Sequence, residues 1–109
     1  MSVGEKICSA VRPIVHEIMA GSYTGDADSY CTYNMSEQPM AFGDDTPWVI
    51  RYLIQLHWYA PLGINPTATK RALRAAILGA GFTAPVVEDA SDLDGIHLVF
   101  EFEDVDGDF

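Results

Sequence analysis

Three histidines, two cysteines and a few closely spaced aspartates are the residues of this chain whose types could do chemistry. His16-Glu17 opens like the zinc-protease helix motif, in which two histidines four residues apart hold the metal and the glutamate activates water. Position 20 is Ala20, so the second ligand is missing, and His16 is expected to be a solvated residue on a polar helix face. His57 and His97 fall in two segments that alternate as strands do, where a cross-strand pair is the expectation. Cys8 and Cys31 stand apart from any CxxC pair and from ligand-spaced histidines, which predicts buried free thiols. No serine, cysteine or threonine occupies a nucleophile context, so no catalytic residue is assigned.

Phosphate and cation chemistry are equally thin. Gly79-Ala80-Gly81-Phe82-Thr83-Ala84 fits a loose dinucleotide pattern, but it follows a predicted helix and leads into a strand. Phosphate binding needs the reverse order, with the glycines opening the helix, so these glycines are read as a helix stop. Asp104, Asp106 and Asp108 alternate like calcium ligands, without the distant glutamate of an EF-hand loop. Asp26, Asp28, Asp44 and Asp45 are read as solvated charge. No cofactor and no metal site are expected.

The elements that would position these residues follow from hydrophobic period. Ser2-x-x-Glu5 is a capping box, and Val3, Ile7, Val11, Ile14, Val15 and Ile18 recur at helical steps, predicting a helix from about Val3 to Ala20 with a kink or break at Pro13. Cys31, Tyr33 and Met35 alternate with polar residues as a strand; Ser36 to Pro39 reads as a turn into a short strand at Met40 to Phe42, and Gly43 to Pro47 as a second break. Trp48 to Tyr59 is the strongest strand, with Trp48, Ile50, Tyr52, Ile54, Leu56 and Trp58 on one side. At about 3.3 Å per residue it would reach roughly 40 Å, longer than most strands. Asn65-Pro66 opens a second helix to about Gly79, with Leu73, Ala76, Ile77 and Ala80 inward. Phe82 to Glu88 and Ile96 to Glu103 form a closing hairpin. The sum is one α+β domain over residues 1–109, an antiparallel or mixed sheet packed against two helices in the order α-β-β-β-α-β-β.

Charge separates partners from non-partners. With 109 residues, 49% apolar, and a net charge of -10, the chain is long enough for one core and repels nucleic acid and anionic membrane. No membrane span and no secretory pattern are read in it, so a soluble protein made in the cytoplasm is expected. Lys70, Arg71 and Arg74 are half of the six basic residues, and no acid lies between Pro66 and Ala80. A basic helix on an acidic body is either an accident of surface charge or half of a head-to-tail contact between copies; on the second reading these three residues are the candidate subunit interface.

Tyr30-Cys31-Thr32-Tyr33-Asn34, the turn ending in Gly43-Asp44-Asp45, the strand through Ile54-Gln55-Leu56, the stretch Ala80-Gly81-Phe82 and the hairpin Leu93-Asp94-Gly95-Ile96-His97 resemble the tail-completion and tail-terminator proteins of long-tailed bacteriophages. The resemblance runs from about residue 3 to residue 103. It implies a sheet flanked by helices, assembled as a ring, commonly of six subunits, at the head-proximal end of the tail tube in the virion. Such rings stop tube growth and join tail to head, which implies three protein partners: other copies of the chain, the tail tube protein and the head–tail connector proteins. DNA would pass through the lumen without specific binding, and the family offers no catalytic residues to carry over. A head-completion protein or another connector ring shares this design. An acidic nucleic-acid mimic and a metal-dependent hydrolase are the alternatives from other classes.

Overall fold

In the computed structural model, which describes residues 2–40 and 49–107, Ser2 starts the first helix as its spacing from Glu5 predicts: the Glu5 N–H donates to Ser2 Oγ at 3.1 Å. Helix α1 is Val3–Val11, β1 is Ile18–Ala20, β2 is Tyr30–Met40, β3 is Val49–Ala60, α2 is Thr67–Gly79, β4 is Val86–Asp89 and β5 is Ile96–Gly107. The α+β class and the α-β-β-β-α-β-β order are those expected. All five strands form one mixed sheet in the spatial order β1-β2-β3-β5-β4, parallel only between β1 and β2.

Two of the expected segments differ. The first helix ends at Val11, not Ala20, because Pro13 has no N–H to offer the Ser9 carbonyl and the helical ladder cannot continue past it. The chain turns, with Ile14 and Val15 both bonding back to the Val11 carbonyl, and Ile18 then pairs with Cys31 as an edge strand. Val15 and Ile18 are still buried, so the apolar stripe was a guide to burial and not to backbone. Ser36 to Pro39, expected as a turn, is strand: these residues pair with Leu53 back to Ile50. Pro39 fits there because β1 covers β2 only over Cys31 to Tyr33, and proline is tolerated on a strand with one neighbour. Ala41, Phe42, the break at Gly43 to Pro47 and Trp48 lie outside the described residues.

Both helices pack on one side of the sheet. Ile7 and Val11 of α1 and Leu73 and Ile77 of α2 form a single core with Cys31, Ile54, Leu56, Trp58, Leu98, Phe100 and Phe102. Antiparallel register places these strand residues together, since Leu56 lies opposite Phe100 and Ile54 opposite Phe102. The second helix starts one residue later than expected, at Thr67, with Pro66 at the cap position and no side-chain cap bond; Asn65 lies just before it, its Oδ1 accepting from the Thr67 N–H at 3.0 Å. Gly81 ends it at φ 94°, a conformation that suits glycine. Phe82 then folds back into the core, and the strand expected from that residue begins only at Val86. Among the described residues no helix is long and apolar enough to cross a membrane.

Candidate interaction surface

The opposite side of the sheet carries no helix among the described residues. There, Tyr30 of β2 lies beside Tyr59 of β3, which lies beside His97 of β5. Strands spaced about 4.8 Å apart bring in-register rings to stacking distance. The ring centroids are 5.0 Å apart for Tyr30 and Tyr59 and 4.2 Å for Tyr59 and His97. Tyr23, from the loop before β2, extends the stack at 4.2 Å from Tyr30. That loop is bonded within itself and to β3. The Ala27 N–H donates to Tyr23 Oη at 2.9 Å, and the Trp58 indole N–H donates to Ser29 Oγ at 3.0 Å. A Cβ on Gly25 would run into the Tyr23 ring, so glycine leaves room for the ring as placed. Each aromatic pair is worth about 0.5–1.5 kcal/mol beyond its burial, enough to hold four rings from four segments in one row.

His57 meets the row from the side. Its Nδ1 is 2.9 Å from His97 Nε2, the cross-strand pair the two strand positions predict, and the two nitrogens share one hydrogen bond. Burial, followed by the neighbouring His97, lowers the His57 pKa below its ordinary 6.5, against an opposing pull from Glu101. Burial, followed by Tyr30, raises the Tyr59 pKa, so its phenol stays protonated and able to donate. On the helix side, burial pushes the Cys31 thiol up to about 12 and leaves it a packing residue.

At the end of the row where β3 stops and β5 starts, the rings of Tyr30, Tyr59 and His97 and the aspartates Asp28, Asp92 and Asp94 line a recess of about 460 Å³. A histidine near carboxylates is a hydrolytic combination in principle. Here the His97 Nε2 is engaged with His57, and its backbone N–H donates to Ser91 Oγ at 2.9 Å, which turns that hydroxyl toward the main chain. Among the described residues no three His, Cys, Asp or Glu side chains converge as a metal site would require. The chemistry the recess does offer is acceptance of a cation or of hydrogen-bond donors, through carboxylates and phenol oxygens.

The three sequence-selected interface residues lie across the sheet from this recess, on α2. Arg71 and Arg74 are exposed and make no ion pair among the described residues. Lys70 is half-buried and near Asp89, whose pKa is lowered first by hydrogen bonds from Ser91 and further by Lys70. Of the other three cations, Lys6 bonds Asp104 at 3.1 Å and covers the Phe82 ring, Arg51 pairs with Glu103, and Arg12 is exposed and in no ion pair among the described residues. His16 is exposed, as expected, but it lies past the end of α1 and not on a helix face. Sequence reasoning missed the tyrosine row. The aromatic residues at alternate strand positions were the available signal, but only the register shows that they align. A scan against protein-family models finds no match for this chain, and a search of curated proteins finds none either.

Proposed function

We propose that this chain is a virion assembly protein of the tail-terminator kind: copies close into a ring, of six subunits on the resemblance, at the head-proximal end of a phage tail tube. The ring stops tube growth and presents the surface to which head–tail connector proteins attach. The observation that carries this reading is a five-stranded sheet with helices, among the described residues, on one side only. A sheet of this size with a half-buried aromatic face is suited to contact with another protein surface, mixed polar and aromatic as non-obligate interfaces are. The β2 edge is less suited to pairing, since Glu37 and Pro39 blunt it. The net charge of -10 fits a lumen that DNA crosses without adhering.

Native mass spectrometry and sedimentation over a range of concentrations test this, alone and with tail tubes. The expected result is a closed oligomer of one size that caps tubes and is needed for tail joining in extracts. A monomer at every concentration that also leaves tubes uncapped overturns the reading, and a ring that binds filled heads but not tubes reassigns it to the connector side.

A further inference from the structure

We infer that the acidic, tyrosine-lined recess of one copy receives Arg71 and Arg74 of the next, so that α2 of each subunit docks on the sheet face of its neighbour that carries no helix among the described residues. This rests on the ring reading and names the contact that would build the ring. The recess has three carboxylates, from Asp28, Asp92 and Asp94, around the edges of Tyr30, Tyr59 and His97. Guanidinium groups match such a site, because their planar forked donors bond carboxylates and phenol oxygens together. Arg71 and Arg74 are one helical turn apart, exposed, and without an ion pair among the described residues.

Position explains why the two surfaces must meet between copies. α2 packs through Leu73 and Ile77 on the helix side of the sheet, whereas the recess opens on the other side, so the sheet lies between them within one subunit. Both lie toward the same end of the strands. α2 starts seven residues after Ala60, and Ala60 pairs with Ile96 beside the recess. Two different surfaces of one chain that fit each other give a head-to-tail contact, which closes into a ring when the rotation allows. The exposed apolar residues at that end, Leu62, Ile64 and Leu93, supply contact area that the charges alone lack. The carboxylates and arginines then set register and partner choice.

Charge exchange tests the contact. Asp28 and Asp94 are chosen because both are exposed and neither side chain holds a hydrogen bond among the described residues, so Asp28→Lys/Asp94→Lys and Arg71→Glu/Arg74→Glu should each leave the fold intact by circular dichroism. Each pair alone should weaken self-association about tenfold or more, since like charges then face each other. Mixing the two variants, or combining all four substitutions in one chain, should restore assembly. Loss in both without restoration in either overturns the pairing. Assembly of both variants at wild-type strength removes this contact while the ring reading stands; a wild-type chain that never self-associates overturns both.

Discussion

Replacing Ser29 with alanine isolates one bond that ties the loop under Tyr23 to the core. Trp58 is 1% exposed and its indole N–H has Ser29 Oγ as its partner at 3.0 Å. Alanine removes the acceptor and leaves a buried donor unsatisfied, at a cost of about 1–3 kcal/mol. With a urea dependence of about 1–3 kcal/mol per molar, a loss of about 2 kcal/mol lowers the unfolding midpoint by roughly 1 M. The assay is urea unfolding followed by circular dichroism for wild type, Ser29→Ala, Trp58→Phe and the double variant. Phenylalanine has no N–H, so Ser29→Ala in that background should cost less than about 0.5 kcal/mol, and the cycle should give a coupling of about 1–2 kcal/mol. Equal costs of Ser29→Ala in both backgrounds would refute the hydrogen-bond argument and assign the loss to packing of the loop.

The same stability assay reaches the rest of the core. Phe100→Ala should cost about 3–5 kcal/mol and Ile54→Ala about 2–5, because both are buried at the centre of the sheet, whereas Leu93→Ala, at a residue 95% exposed, should change stability by less than about 0.5 kcal/mol. Gly95→Ala should lose about 1–3 kcal/mol in the same titration, since its Cβ would stand 2.8 Å from the Ala60 carbonyl oxygen. The lowered pKa of His57 means the unfolded chain binds more protons than the folded one between the lowered value and 6.5. Stability from neutral His57 is therefore present above pH 6.5 and lost as the pH falls through the lowered value; thermal melts should show wild type declining more steeply than His57→Asn in that window, and parallel curves would contradict it. Reversing Lys70, Arg71 and Arg74 to glutamate should leave the monomer folded and weaken assembly in sedimentation; unchanged assembly and tail joining would remove α2 from the interface.

Local physics decided much of this protein from the sequence alone. The Ser2 cap of α1, the alternation of Ile54, Leu56 and Trp58 and the burial of Leu73, Ile77, Phe100 and Phe102 each follow from side-chain chemistry within a few residues. What required the folded chain was long-range pairing. A period of three and four cannot say that Ile18 leaves the helix to pair with Cys31, because burial rewards the same residues in either backbone. Polar residues from Ser36 to Pro39 read as a turn until β3 supplies their hydrogen bonds. The row from Tyr23 to His97, and the recess at its end, join segments up to 74 positions apart, and only sheet register brings them to stacking distance.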